Sequence, residues 1–197
     1  MTQTRGPSHP RRQSSANPLA LVVVALVILV YCWLVHCWPA LARDSAGEKP
    51  LPVPVAEMRD LILAAVHSGR IEDLRAALDV NGVKPDFGAD NGADPIAALK
   101  ALSGDGKGAE ILAALGEILD MPPAALPLGR DLENNLIYVW PYLAEKPLDQ
   151  FAAPEDVDLY RLVSPAKAKE MREKKRWTWW RLTIGADGTW QAFKKPE

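Results

Sequence analysis

A run of apolar residues from Leu19 to Trp38 constrains this chain more than any other stretch of its sequence. The run contains one side chain that can carry a charge, His36. As a helix it would be about 30 Å long, which matches the hydrocarbon thickness of a bilayer. We therefore predict a signal or transmembrane helix over residues 19–38, with the membrane as its partner.

The charges that flank this run predict its orientation. Residues 1–18 contain Arg5, Arg11 and Arg12 and no carboxylate, whereas acidic and basic residues are mixed after residue 42. Because positive charge favours the cytoplasmic side, residues 1–18 are predicted to be a basic cytoplasmic segment. The remainder would then be exported to the bacterial cell envelope, either periplasmic or anchored in the inner membrane with its C-terminal domain outside the cytoplasm.

Residues 39–54 leave two fates open for the apolar segment. Ala40 and Ala42 form the small-residue pattern at which signal peptidase cuts, which favours cleavage after Ala42. The apolar run is longer than the roughly 7–15 residues of a signal-peptide core, which favours a retained anchor. Pro50, Pro52 and Pro54 then predict an extended, semi-rigid linker before the folded domain.

Residues 55–197 are predicted to form one exported α+β domain. This domain has no disulfide, because both cysteines lie in the apolar run. Residues 43–164 carry 11 Lys or Arg against 21 Asp or Glu, a balance that argues against a nucleic-acid partner. The exported part has a single histidine, His67, which leaves a zinc site short of ligands. We predict no catalytic, cofactor-binding or metal site from the sequence.

The first part of this domain, about residues 55–123, reads as a bundle of short helices. Apolar residues recur at spacings of three and four, which is typical of amphipathic helices. Four helices are predicted: Val55–His67, the stretch around Ile71–Leu78, a helix opened by Asp94 and Pro95, and the stretch around Ile111–Leu119.

The second part, about residues 130–197, predicts a small antiparallel β-hairpin sheet beside further helices. Leu136–Trp140 is a strand candidate that ends at Pro141. Helices are expected to begin at Pro154 and at Pro165. Alternating residues from Trp177 to Ile184, followed by glycine-rich turn residues, predict a hairpin with a return strand at Thr189–Phe193. A four-residue loop would place Ile184 opposite Thr189 and Trp180 opposite Phe193, whereas a glycine bulge at Gly188 would shift these pairs.

Six side chains form the candidate ligand or partner surface. The alternation groups three tryptophans and an arginine on one face of the hairpin, and two aromatic residues of the preceding strand are added to them. Aromatic rings build cores and also anchor interfaces, so a core role and a platform for a sugar chain or peptide are both open. The six residues are Tyr138, Trp140, Trp177, Trp179, Arg181 and Trp190.

Three C-terminal segments carry a resemblance to a known group of proteins. They are IYVWPYLAE, DLYRLV and WWRLTIGADGTWQAF, which lie within residues 137–193. Together they resemble the C-terminal region of small exported bacterial proteins of unassigned function. The resemblance implies export and an α+β body, and it implies no activity.

Two functions of different classes follow from these patterns. The first is an exported or membrane-tethered envelope protein with a non-catalytic binding or structural role, whose partner is a cell-wall polymer or another envelope protein. The alternative is a carboxylate-dependent hydrolase that acts on cell-wall polymer. Its candidate residues are Glu133, Glu145 and Asp149, because acidic and aromatic residues are dense in that region.

Overall fold

The computed structural model describes residues 50–88, 94–129 and 135–196. The predicted signal or transmembrane segment 19–38, the cleavage residues Ala40 and Ala42, and Glu133 lie outside these ranges. Within the described ranges, no helix is both long enough and apolar enough to cross a bilayer.

Helices and strands coexist in the described residues, which confirms the α+β class. Two 3-10 turns, at Ile71–Leu74 and Tyr142–Glu145, lie between the helices and strands. The helices are α1 (Val53–Ser68), α2 (Arg75–Asp79), α3 (Pro95–Leu102), α4 (Ala109–Leu119), α5 (Ala153–Leu162) and α6 (Pro165–Lys174). The strands are β1 (Ala124–Pro127), β2 (Leu136–Trp140), β3 (Arg181–Gly185) and β4 (Trp190–Lys194).

Local sequence signals account for where the helices begin and end. The Asp94 side chain accepts a hydrogen bond from the backbone N–H of Ile96 at 3.1 Å, which caps α3. Ser164 caps α6 in the same way, through the backbone N–H of Lys167. Gly69 ends α1 with a φ of 69°, a left-handed conformation that glycine adopts without steric cost.

The four strands form one antiparallel sheet in the order β1-β2-β3-β4. β2 therefore pairs with the C-terminal hairpin through β3. The sheet is larger than a hairpin because β1 is added at its edge. β1 was not predicted: its sequence, AALP, lacks the β-branched and aromatic residues that favour strands. Edge strands are often short and contain proline, and Pro127 ends this one.

The predicted register of the hairpin is wrong. Leu182 pairs with Phe193 and Ile184 pairs with Trp190, with an irregularity between Thr183 and Ile184. Two features cause the difference. The N–H of Gly185 donates to the carbonyl of Thr189, so three residues and not four connect the strands, and Gln191 is an extra residue that shifts the pairs beyond it by one more position. The strand also begins only at Arg181, so the stretch from Trp177 to Trp180 lies before it.

One face of the sheet packs against the helices to form the hydrophobic core. Paired residues of antiparallel strands point to the same face, so Trp140, Leu182 and Phe193 lie together on this side. Trp180 stacks on Phe193 with the ring centroids 4.5 Å apart. The helices contribute further buried side chains: Met58, Ile62, Ala65, Leu74, Leu99, Ile111, Leu115, Ile118, Leu159 and Met171.

A loop segment completes the sheet beyond β4. The backbone N–H of Asp86 donates to the carbonyl of Gln191 at 2.8 Å, and the N–H of Phe193 donates to the carbonyl of Asp86 at 2.9 Å. Phe87, the next residue, is buried and meets the Trp190 ring edge-on with 5.8 Å between centroids. The loop thus satisfies backbone groups of an edge strand and extends the core.

The turn before α4 is organised by one carboxylate, Asp105. Its oxygens accept hydrogen bonds from the Ser103 hydroxyl and from the backbone N–H groups of Lys107, Gly108 and Ala109. The Ser103 hydroxyl first, and then the backbone donors, hold the pKa of Asp105 at about 2. Asp105 therefore satisfies amide groups that the start of α4 would otherwise leave without partners.

Asp105→Asn is expected to lower the midpoint of thermal unfolding at pH 7, because the amide loses the charge and one acceptor oxygen. The folded-state pKa is about 2 and the ordinary value is 3.8. The carboxylate thus contributes stability above pH 3.8, and this contribution is lost as the pH falls through about 2. Thermal melts followed by circular dichroism between pH 7 and about pH 2 should show the midpoints of Asp105→Asn and the unchanged chain converging as the pH falls. Asp149→Asn removes one negative charge at an exposed position and is the control. A difference in midpoint between Asp105→Asn and the unchanged chain that did not depend on pH would refute the role given to the Asp105 carboxylate.

Candidate functional site

Four of the six side chains predicted for the ligand surface are buried. Tyr138 is 9% exposed, Trp140 0%, Trp177 6% and Trp190 2%. The indole N–H of Trp177 donates to the carbonyl of Trp180, and that of Trp190 donates to the carbonyl of Ala192, both at 3.2 Å. These four rings therefore belong to the core, which is one of the two roles that the sequence left open.

The other two residues, Trp179 and Arg181, are half-exposed. The ammonium of Lys195 lies 5.0 Å from the centroid of the Trp179 ring and 4.4 Å from that of Trp180. Arg181 forms an ion pair with Glu145, with 2.6 Å between Nη2 and Oε1. The chain's own charged groups thus occupy the polar part of this surface.

The carboxylates of the hydrolase alternative are placed as follows. Glu145 is held by Arg181, Asp149 is exposed, and Glu133 lies outside the described residues. Nearby, Glu155 accepts hydrogen bonds from the Lys146 ammonium and then from the N–H of Ala152, which together lower the pKa of Glu155. A catalytic acid in a hydrolase needs a raised carboxyl pKa, so Glu155 is poorly suited to that role.

Tyr142 is tied to the same region by burial and a hydrogen bond. Its hydroxyl donates to Oδ2 of Asp158 at 2.9 Å. Burial first, and then the Asp158 carboxylate, raise the pKa of Tyr142 well above its ordinary value. Tyr142 is therefore a neutral hydrogen-bond donor that links its 3-10 turn to α5.

A groove of about 640 Å³ lies at the other end of the sheet, beside the turn between β3 and β4. This size is within the range of about 300–1,000 Å³ that is typical of binding sites. It is formed by the first half of α1, the residues that follow α2, and the β3–β4 turn. The lining residues are Pro54, Glu57, Met58, Asp60, Leu61, Val80, Asn81, Asp187 and Gly188.

The apolar part of the groove comes mainly from one face of α1. Pro54, Met58 and Leu61 are spaced by four and three residues and therefore lie on the same side of the helix. Met58 is buried and Leu61 is half-buried, while Val80, which follows α2, is 54% exposed. Val80 therefore adds exposed aliphatic surface to that of α1 in the groove.

The charged part of the groove is acidic. Glu57, Asp60 and Asp187 line it, and no lysine or arginine does. Asp60 has a cation nearby, since Nη1 of Arg59 lies 3.7 Å from its Oδ1. The Arg59 guanidinium is also engaged elsewhere, because Nη2 donates to the carbonyl of Leu119 at 3.0 Å.

The β3–β4 turn lies close against the start of α1. Asp187 accepts hydrogen bonds from both the N–H and the hydroxyl of Thr189, each at 2.9 Å. Gly188 has a φ of 82°, and a Cβ at that position would come within 2.7 Å of the carbonyl oxygen of Pro54. Only glycine fits this approach, so Gly188 allows the turn to pack directly on α1.

This groove was not predicted from the sequence. Its residues come from three segments, at 54–61, 80–81 and 187–188, and their approach depends on how the sheet packs against α1. The apolar spacing in α1 predicted a helix, and this spacing is the same whether a helix face is buried or lines a groove. The only local signal was the glycine-rich turn at residues 185–188.

A second groove, of about 600 Å³, is more polar. It is lined by Arg59, Leu63, Val66, His67, Gly116, Glu117, Asp120 and Arg161. Its arginines are already engaged: Arg59 with the carbonyl of Leu119, and Arg161 with Asp120 and Asp158. We therefore regard the first groove, which lies between α1 and the β3–β4 turn, as the candidate functional site and call it the α1 groove.

The chain matches no protein-family model, no curated protein and no solved structure. In the part of the chain that the structure describes, no cluster of three or more His, Cys, Asp or Glu side chains is arranged to hold a metal ion. The resemblance of residues 137–193 to small exported bacterial proteins stays a prediction.

Proposed function

We propose that this chain is an exported or membrane-tethered protein of the bacterial cell envelope, and that its α+β domain is a non-catalytic binding module. The observation that carries this proposal is the apolar run of residues 19–38, which follows three arginines and no carboxylate. Its length fits a bilayer, and the arginines favour export of the residues behind it.

Features of the described domain support a binding role. Its core includes four tryptophans, at positions 140, 177, 180 and 190, so most of the rings proposed for a ligand surface are in the core. The α1 groove presents apolar and acidic groups to a ligand. Among the described residues, the carboxylates of the hydrolase alternative gain no supporting contact.

Reporter fusions test the localisation. Alkaline phosphatase, which is active only outside the cytoplasm, is joined after residue 197, and a green fluorescent protein, which fluoresces after folding in the cytoplasm, is joined there in a parallel strain. We expect phosphatase activity without fluorescence. Fluorescence without phosphatase activity would refute export.

N-terminal sequencing of the recovered protein distinguishes the two fates of the apolar segment. A mature chain that begins at Arg43 means cleavage after Ala42, whereas an intact N-terminus means a retained anchor. Either result is compatible with export. An intact chain in the soluble cytosolic fraction is not.

A further inference from the structure

We infer that the α1 groove binds a short basic segment of a partner polypeptide, which contains both apolar side chains and lysine or arginine. This inference deepens the proposed function, because it states the chemistry of the partner. The groove itself is a property of the folded domain, and its binding can be measured whatever the cellular location.

The lining of the groove favours apolar side chains in a ligand. Leu61 of α1 and Val80, which follows α2, both line it with aliphatic groups. An apolar side chain that contacts them would remove their surface from water, which is the main favourable term in association. A purely polar or purely ionic ligand would leave this surface unused.

The charges of the groove favour cations in a ligand. Glu57 and Asp60 are exposed on α1, and Asp187 is exposed on the β3–β4 turn. Arg59 lies 3.7 Å from Asp60 and offsets part of its charge, but no lysine or arginine lines the groove itself, so a basic segment would be attracted. An acidic segment would be repelled, so the same charges exclude a class of competitors.

The lining composition favours a polypeptide over a cell-wall polymer. Sugar chains are commonly held by aromatic faces, and the α1 groove has no aromatic lining residue. The half-exposed Trp179, which the sequence offered for that purpose, has Lys195 beside its ring. Asn81 instead provides an amide with both a donor and an acceptor, which suits the backbone of an extended peptide.

The test uses a dye-labelled peptide, Lys-Leu-Lys-Val-Lys, titrated with the full-length chain in non-ionic detergent micelles. Fluorescence anisotropy reports binding, and empty micelles give the blank. We expect saturable binding that weakens as salt is raised from 50 to 300 mM, because exposed charges are screened over about 10 Å at 0.1 M salt. Peptides with Glu for Lys, or with Ser for Leu and Val, should bind at least fivefold more weakly.

Matched variants locate the binding. Glu57→Gln with Asp60→Asn is expected to weaken binding about five- to tenfold, since each exposed ion pair contributes up to about a fivefold change. Glu173→Gln with Asp149→Asn makes the same change in net charge outside the groove and should leave binding unchanged. Asp187 is not replaced, because it holds the turn through Thr189.

A second pair of variants tests the apolar contact without touching the core. Val80→Ser should weaken binding about threefold. Val157→Ser, at a residue on α5 that is 62% exposed, should have no effect. Equal affinities for the groove variants and their controls, or the absence of saturable binding, would overturn the inference. The reporter fusions test export independently of these binding measurements.

Discussion

Replacing Trp190 with alanine is expected to lower the free energy of unfolding by about 3–5 kcal/mol, the range for buried tryptophans. The side chain is 2% exposed, packs edge-on against Phe87 and donates its indole N–H to the carbonyl of Ala192. A buried tryptophan removes about 150–250 Å² from water, and its loss also leaves a cavity. An exposed ligand platform would show no such loss.

Trp179→Ala is the matched control, because it removes the same ring from a half-exposed position. Its ring lies beside the Lys195 ammonium, a contact worth about 0.5–1 kcal/mol, and packs in part against the core. We therefore expect a smaller loss of unfolding free energy than for Trp190→Ala, of about 1–2 kcal/mol.

Urea unfolding of the two variants and the unchanged chain, all as residues 50–197, provides the measurement. Far-UV circular dichroism is the better probe, since removal of a tryptophan alters the fluorescence signal directly. Equal destabilisation by the two substitutions, or a loss below about 1 kcal/mol for Trp190→Ala, would contradict the core assignment. The comparison thus distinguishes a core role from a ligand platform, a choice that the alternation of residues 177–184 leaves open.

Local chemistry explains which elements could be predicted from the sequence. Asp94 with Pro95 and Ser164 with Pro165 are start signals that act within a few residues, and the helices begin where these signals place them. β2 is rich in aromatic and β-branched residues and is followed by Pro141, so its limits could also be read locally.

The parts that were missed depend on contacts distant in sequence. β1 has no strand-forming residues of its own and exists because its backbone pairs with β2, as in Ala125 opposite Tyr138. The hairpin register depends on the length of the turn and on a bulge between Thr183 and Ile184, which alternation does not reveal. The first residue of β3, Arg181, depends on where the neighbouring strand β4 ends, at Lys194.

The candidate site shows the same division. Tyr138, Trp140, Trp177 and Trp190 were chosen as aromatic residues with an open choice between core and surface, and only their burial decides it. The α1 groove could not be chosen at all, because Val80 and Asp187 become neighbours only when the fold is complete. A pattern in sequence predicts which face is apolar, and packing decides whether that face is covered.

The largest effect on localisation is expected from two arginines at the centre of the apolar run. In the phosphatase fusion, Leu26→Arg with Leu29→Arg should reduce reporter activity at least tenfold. An arginine at the centre of a membrane helix costs about 2.5–3.5 kcal/mol on the insertion scale, so two cost about 5–7 kcal/mol. This penalty applies equally to a cleaved signal peptide and to a retained anchor.

Ser14→Arg with Ser15→Arg adds the same two charges before the apolar run and provides the control. Positive charge on the cytoplasmic side favours the proposed orientation, so activity should be kept or raised. Full activity of the Leu26→Arg, Leu29→Arg fusion would mean that the apolar run does not direct export. The envelope assignment would then lose its basis, whereas binding of a basic peptide in the α1 groove, measured on the purified chain, would remain a separate question.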